Sequence, residues 1–256
     1  MIKFFRKIRQ KLLAENKFTK YLLYALGEIV LVVIGILIAL QINNWNEARK
    51  TSIEEASLLR SLKNEMRYNS KELQRARGVN KSNIEGTGRL VGILTPEPSK
   101  EITESQLASL LGASLAEKTE FQPRLSVINS EKLAIISNDS LKNLLWSIDS
   151  RVKHLEEHEK TVTEIRWDCT LQTLEDGNFR ATVDQVMDTE GWYTTSKSAF
   201  KKTNLALLKS RQFENKLVLF LATSLNSEVQ HLAPMNDLFN TIEALIDTEL
   251  RKLEAL

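Results

Sequence analysis

Two histidines and a glutamate at close spacing are the residues of this sequence best suited to chemistry. His154, Glu157 and His158 form the pattern H-x-x-E-H. On a helix this spacing places two imidazoles one turn apart with a carboxylate beside them, as in the inverted zinc peptidases. The pattern raises the hypothesis of a zinc-dependent hydrolase.

A zinc site needs more ligands than this pattern supplies, because a catalytic zinc ion takes three protein ligands and keeps one position open. His231 or Glu243 would have to complete the set, and no recognisable downstream motif contains either residue. The same stretch is also typical of the charged face of an amphipathic helix whose apolar side carries Val152 and Leu155. Metal binding by His154 and His158 is therefore the lesser interpretation, and we expect no cofactor.

Other catalytic signatures are missing from the sequence. It contains neither the G-x-S-x-G nucleophile motif nor a glycine-rich phosphate-binding loop. Cys169 is the only cysteine, which excludes an internal disulfide, and we expect it to be a buried small side chain on a helix. Trp192 and Tyr193 form either an exposed aromatic contact or a pair of rings that fix a loop to its own core. We expect the chain not to be an enzyme.

One segment is apolar enough to cross a membrane. Tyr21–Leu40 contains twenty residues and a single charge, and it covers about 30 Å as a helix, the thickness of a bilayer core. A cleavable signal peptide would have a shorter apolar region followed by small residues, whereas Gln41 and Asn43 follow here. The segment is therefore interpreted as an uncleaved anchor.

The distribution of charge predicts how the chain is oriented. The formal net charge is +2, but residues 1–20 carry +6 and the remainder carries −4. Since cations stay on the cytoplasmic side, we predict a cytoplasmic basic amphipathic segment (1–20), a transmembrane helix (21–42) and a periplasmic helical domain (43–256). The basic segment and the span are expected to contact membrane lipid. No basic patch is present beyond residue 20, so nucleic acid is not expected as a partner.

A stripe of small and polar residues follows one face of the predicted span. Ala25, Glu28, Val32, Gly35 and Ala39 recur at steps of three and four, which places them together on a helix. Gly35 and Ala39 allow another backbone to come close, and a carboxylate in lipid is costly unless it is protonated or partnered. The stripe predicts a partner helix, with Glu28 acting either as a contact between helices or in proton coupling.

The rest of the chain has the pattern of an all-α fold, since glycine and proline are scarce and apolar residues recur at helical spacing. The spanning helix is predicted to continue outward, because residues 36–77 contain no glycine or proline, and to loosen at Gly86, Gly88 and Gly92. Further helices are predicted over residues 104–111, from 139 or 140 to about 174, over 180–187 and from 210 onward. The last of these is expected to face the core with Leu217, Leu221, Leu225, Val229 and Leu232 and to kink at Pro234.

The first fifty residues read MIKFFRKIRQKLLAENKFTKYLLYALGEIVLVVIGILIALQINNWNEARK. This stretch resembles the opening of a family of uncharacterised single-pass membrane proteins common in the Bacteroidota. Glu28 and residues 41–45 match positions typical of that group, and residues 121–145 resemble it more loosely. The resemblance implies an anchor in a Gram-negative inner membrane with a periplasmic helical domain and no assigned activity.

These observations favour a non-enzymatic function. The leading hypothesis is a membrane-anchored interaction or scaffold protein that binds other envelope proteins or a second copy of itself through the stripe and the bundle. A ligand-sensing bundle is the alternative, although sensors usually need a larger cytoplasmic output region. A zinc hydrolase built on His154 and His158 is the third hypothesis.

Overall fold

The computed structural model of the protein describes residues 18–94, 102–115, 117–190 and 203–255. These residues form six α-helices, and no strand lies among them. The helices are α1 (Phe18–Ile93), α2 (Glu104–Leu115), α3 (Asp139–Asp176), α4 (Phe179–Glu190), α5 (Arg211–Asn226) and α6 (Ala233–Glu254). Short 3₁₀ helices cover Glu131–Ile135 and Asn204–Lys209, and a π-helical turn, Ser227–Leu232, joins α5 to α6. The prediction of an all-α fold with a long N-terminal helix is confirmed.

The chain divides into two compact units, residues 1–56 and 57–256. The first unit contains the apolar part of α1, whose mean hydropathy reaches 2.6 and whose large apolar side chains are exposed. Within the described residues this is one helix long and apolar enough to cross a membrane. The predicted basic segment falls almost entirely on residues 1–17, which lie outside the described residues.

Helix α1 is helical through its three distal glycines, so the prediction that they loosen its end is wrong. Gly86 explains the difference, because it is buried against α2 and a Cβ added there would lie 2.4 Å from Oγ of Ser114. The glycine allows two helices to approach closely rather than breaking one. Helix α2, predicted to end at residue 111 before Gly112, continues through that glycine to Leu115.

The second unit is a bundle of three long helical segments. Side-chain contacts show that residues 57–93 of α1 run antiparallel to α5 and α6, because partners later in α1 lie earlier in α5 and α6. The contacting pairs are Arg60 with Glu254, Lys63 with Asp247, Ser70 with Glu243, Arg77 with Glu228 and Asn80 with Ser224. Helix α3 is also antiparallel to α5 and α6, through Asn138 with Glu249, His158 with Ser227 and Gln172 with Lys216.

The bundle core consists of apolar side chains from all three segments. Because they recur three and four residues apart, each helix buries one face. The buried positions include Leu59, Leu62, Met66 and Leu73 of α1, Leu145, Ile148, Val152 and Leu155 of α3, Phe213, Leu217 and Phe220 of α5, and Phe239, Ile242 and Ile246 of α6.

The inward face of α5 differs from the prediction. Leu217 and Leu232 are buried as expected, whereas Leu225 and Val229 are 45% and 61% exposed. The predicted row advances by four residues at each step from Leu217 to Val229, and it drifts off the buried stripe, which continues from Leu217 through Phe220, Ser224 and Ser227. The π turn then adds one residue before Leu232. Pro234, where a kink is predicted, lies at the start of α6 directly after this turn, where a missing N–H costs least.

A non-helical segment, residues 117–130, runs along α1 in the opposite direction and is called the strap below. Its backbone hydrogen bonds are made largely by buried side chains of α1. Glu65 accepts from the backbone N–H of Val127 and Ile128, and Asn69 both donates to and accepts from the backbone of Arg124. Because buried backbone groups need partners, these side chains determine the path of the strap.

The strap is also held from α3 by Glu159, which is buried and accepts a hydrogen bond of 2.9 Å from the N–H of Phe121. Burial raises the pKa of the Glu159 carboxyl to about 7, against the opposing effect of the Phe121 N–H. The folded state therefore binds a proton more tightly at this site than the unfolded chain does. Its stability contribution is present at acidic pH and is lost as the pH rises through about 7.

Replacing this carboxyl tests the assignment. Glu159→Gln keeps an acceptor for Phe121 but removes the buried charge, so it should stabilise the protein by about 1–3 kcal/mol at pH values above about 8 and have little effect near pH 5. Thermal unfolding of the full chain, followed by circular dichroism at both pH values, measures this difference. Glu164→Gln, on the exposed side of the same helix, is the matched control. Equal pH dependence of unfolding in wild type and Glu159→Gln would contradict the assignment.

Candidate functional site

A cavity of about 300 Å³ lies between α2, α3 and α4. Its size is at the lower end of ligand pockets, which are roughly 300–1,000 Å³. The apolar residues around it include Leu111 and Leu115 of α2, Trp167 of α3, and Phe179, Val183 and Met187 of α4. A site with such walls suits a hydrocarbon group rather than a polar metabolite.

A short turn brings α3 and α4 together at this cavity. Helix α3 ends at Asp176 and α4 begins at Phe179, so only two residues connect them. Asn178 begins the second helix, because its side chain accepts a hydrogen bond of 3.1 Å from the N–H of Ala181. Such a short connection forces the two helices to be neighbours, and α4 then packs against α2 to close the cavity.

Asn204 ties the elements around the cavity together. Its side chain is buried, accepts from the N–H of Asn178 at 2.7 Å and donates to Oγ1 of Thr182 at 3.3 Å. Its own N–H donates to the carboxylate of Glu104 at 2.8 Å, at the start of α2. One buried residue therefore links α2 through its backbone N–H, and the turn and α4 through its side-chain amide.

Gly177 makes room for that amide. A Cβ at this position would lie 2.6 Å from Oδ1 of Asn204 and 2.8 Å from the carbonyl oxygen of Thr173. No side chain fits such distances without movement of the backbone or loss of the Asn204 hydrogen bonds. The glycine is required by the close approach of its neighbours.

Among the described residues that line the cavity, Arg166 of α3 contributes the only charged side chain. Its Nη1 donates to the carbonyl oxygen of Leu115 at 2.5 Å, and its buried Nε has no hydrogen-bond partner among the described residues. Burial lowers the pKa of the guanidinium, and no carboxylate of the described residues offsets this effect. The site therefore holds a partly buried positive charge beside an apolar space.

The sequence interpretation missed Arg166, although one feature marks it. Val162, Arg166, Cys169 and Thr173 follow each other at steps of four, three and four, so the arginine takes a position on the inward stripe of α3. Cations at such positions are uncommon unless they are paired. A lone cation in an apolar stripe is the signal that would have found it.

The H-x-x-E-H residues take different environments. His154 is exposed, and its Nδ1 lies 4.0 Å from the carboxylate of Glu157. His158 points into the bundle, where Nε2 lies 2.8 Å from Oγ of Ser227 and the ring stacks on that of His231 at 4.5 Å between centroids. Burial and then the neighbouring histidines lower the pKa of His231, so its imidazole favours the neutral form.

The described residues contain no group of three or more histidine, cysteine, aspartate or glutamate side chains arranged to hold a metal ion. Of the two proposed completing ligands, His231 does lie beside His158, whereas Glu243 accepts a hydrogen bond from Ser70 on α1. The zinc-dependent hydrolase stays a prediction, since its test is the metal content of the purified protein.

The other predicted sites lie elsewhere in the chain. Cys169 is buried in the cluster beside the cavity, and burial raises the pKa of its thiol to about 12, as expected for an unreactive side chain. On the apolar part of α1, Val32, Gly35 and Ala39 are exposed, and Ala25 and Glu28 are partly exposed.

Trp192 and Tyr193 lie outside the described residues, so the exposed contact predicted for them stays a prediction.

The packing of the turn predicts a contrast between two glycine substitutions. Gly177→Ala should destabilise the protein by about 1–3 kcal/mol, because the added methyl group overpacks a buried turn. Gly88→Ala should be neutral or stabilise it by up to about 1 kcal/mol, because that position is helical and a Cβ there meets no atom within 4 Å. Thermal unfolding of both full-length variants measures the contrast. A Gly177→Ala protein as stable as wild type would contradict the close packing of Asn204 and Thr173 around this position.

Comparison with known proteins gives one partial match. A family model described as a family of unknown function, DUF6090, matches residues 28–93, which are the apolar segment and the distal part of α1. No curated protein and no solved structure matches the chain. Over residues 28–93 the chain is therefore similar to a protein family whose function is unknown.

Proposed function

We propose that this protein is a membrane-anchored interaction protein that binds another envelope protein or a second copy of itself. Helix α1 crosses the inner membrane of a Gram-negative bacterium, residues 1–20 stay in the cytoplasm, and residues 43–256 fold in the periplasm. The apolar segment and the cationic residues before it support this arrangement. The resemblance of residues 1–50 to Bacteroidota membrane proteins supports the compartment.

The observation that carries the proposal is an exposed apolar row on the bundle, formed by Val218, Leu225 and Val229 and called the docking row. Their exposed fractions are 45%, 45% and 61%. They recur at steps of seven and four, so they share one side of α5 and the π turn. Several large apolar side chains exposed together typically mark a contact with a partner, whereas single exposed ones do not.

The small-residue stripe of the span supports binding in the membrane as well. A Cβ added at Gly35 would meet no atom within 4 Å, so this face is open to another helix. In lipid, helices associate through close backbone approach and polar contacts rather than through the hydrophobic effect. Val32, Gly35 and Ala39 provide that kind of surface, with Glu28 beside them.

Photo-crosslinking tests the docking row. A photoreactive phenylalanine analogue at Val229 in the full chain should form a discrete crosslinked product in native membranes, because Val229 is the most exposed member of the row. The same analogue at Gln74, an exposed position on α1, is the control. The mass of the product distinguishes a second copy from another envelope protein. Crosslinking at Val229 no stronger than at Gln74 would refute the interaction surface.

Two glycines of the span offer a matched test of the stripe. Gly35→Ile should weaken association by about 1–2 kcal/mol, roughly tenfold in dissociation constant, because the side chain keeps helices apart. Gly27→Ile adds the same side chain off the stripe, at a position with no atom within 4 Å, and should leave association unchanged. The yield of the Val229 crosslink in each background measures the effect. Equal yields of the Val229 crosslink in Gly35→Ile and Gly27→Ile would show that the stripe does not contribute to association.

The cavity favours a second candidate function, ligand sensing or binding by the bundle. An apolar cavity with one convergent polar group is the usual form of a small-molecule site. Its walls come from three helices, so a bound ligand would be held by α2, α3 and α4 at once. A bound ligand would stabilise the contacts between these helices, and so would stabilise the folded bundle.

A further inference from the structure

We propose that the cavity between α2, α3 and α4 binds a single-chain amphipathic carboxylate, such as a medium-chain fatty acid, with its hydrocarbon chain in the cavity and its head group on Arg166. The inference rests on the second candidate function, ligand binding, and names the ligand class. It is independent of the docking row and of the stripe in the span.

The size and lining of the cavity select the hydrocarbon part. A volume of about 300 Å³ accommodates one chain rather than the paired chains of a phospholipid. Leu111, Phe179 and Met187 offer aliphatic and aromatic surface, and the flexible methionine adapts to a chain of variable shape. Burial of a hydrocarbon against such walls is favourable because it removes apolar surface from water.

The charge of the cavity selects the head group. Nη1 of the Arg166 guanidinium donates a hydrogen bond to the carbonyl oxygen of Leu115, while its buried Nε has no acceptor among the described residues. A buried donor without an acceptor and a partly buried cation without an anion are both unfavourable, and one carboxylate relieves both. Carboxylates match the fork of arginine donors geometrically, and a neutral or cationic head group cannot replace them.

The hydroxyl groups near the cavity do not provide a competing polar site. Thr170 and Thr173 each donate to the backbone carbonyl four residues earlier in α3, and the hydroxyl of Thr182 accepts from Asn204. These groups are already occupied by contacts within the protein. Arg166 is therefore the group of this site that can fix the orientation of an amphipathic anion.

The test uses Trp167, which lines the cavity and reports on its contents. Full-length protein in phosphatidylcholine nanodiscs is titrated with ω-bromododecanoate, whose bromine quenches tryptophan fluorescence on contact. Wild type should show a saturable component of quenching, and this component should be absent in Trp167→Phe. The quenching that remains in the variant measures the contribution of probe dissolved in the bilayer. ω-Bromododecanol and ω-bromododecyltrimethylammonium, of the same chain length, should bind at least about tenfold more weakly, because they cannot pair with a cation.

Variants of the arginine complete the test. Arg166→Gln should weaken binding of the carboxylate by about tenfold or more and bring it level with the alcohol, and Arg166→Lys should recover part of the loss. Arg151→Gln, on an exposed part of α3, should bind as wild type does.

Three results separate the outcomes. Equal binding of the three probes by wild type would leave a ligand-binding cavity but overturn the carboxylate assignment, and this comparison needs no variant to fold. Carboxylate binding unchanged in a folded Arg166→Gln protein would overturn the role of the arginine. Absence of saturable, Trp167-dependent quenching by any probe would overturn the ligand site itself, and with it the second candidate function.

Discussion

The bundle depends on hydrogen bonds between the strap and buried polar side chains of α1. The strap runs along α1 without forming a helix, so few of its backbone groups bond to one another: Asn129 and Ser130 donate to strap carbonyls, whereas other N–H groups need partners outside the strap. Glu65 and Asn69 supply the acceptors and the donor that it needs, and Glu159 holds it from α3. An unpaired buried backbone group costs roughly 1–3 kcal/mol, so these contacts fix one path for the strap. With that path set, Phe121 and Ile128 reach the core between the long helices.

Around the cavity, buried polar groups are also paired by side chains, but one donor is left without a partner in the described part of the chain. Asn204 satisfies the turn after α3 and closes the wall around the cavity, as Glu65 and Asn69 satisfy the strap. Arg166 differs from Asn204, since the protein supplies one acceptor for its guanidinium and leaves a second donor, Nε, buried without one. Asn80, Thr87 and Ser224 also bury a polar side-chain atom without a hydrogen-bond partner among the described residues. Of these four groups Arg166 is the one that lines the cavity, so its guanidinium is the group that a ligand from outside the chain would meet. The docking row and the open face at Gly35 are likewise surfaces that the described chain does not cover.

The helices were predictable from the sequence because their evidence is local. The start of α3 near Asp139 and its end near Leu174 follow from an N-cap, an apolar period and the Asp176–Gly177 turn, all within one stretch of chain. The strap was not predictable, since Glu65 and Asn69 are far from it in sequence and look like surface residues of a helix. The cavity was missed for the same reason, because three separate helices build it. The stripe in the span could be predicted as a pattern, but its partner is not encoded in the pattern.

The π turn has a consequence for how this fold tolerates changes in length. The first and last residues of the turn, Ser227 and Leu232, are buried and lie five positions apart, whereas elsewhere in α5 and α6 no two successive buried residues are more than four apart. Deleting one residue inside the turn leaves a step of four, which an ordinary helix accommodates. A deletion at another position rotates every later side chain by about 100° and turns the following core residues toward solvent. The π turn is therefore the place in this helix pair where the loss of one residue leaves the interior unchanged.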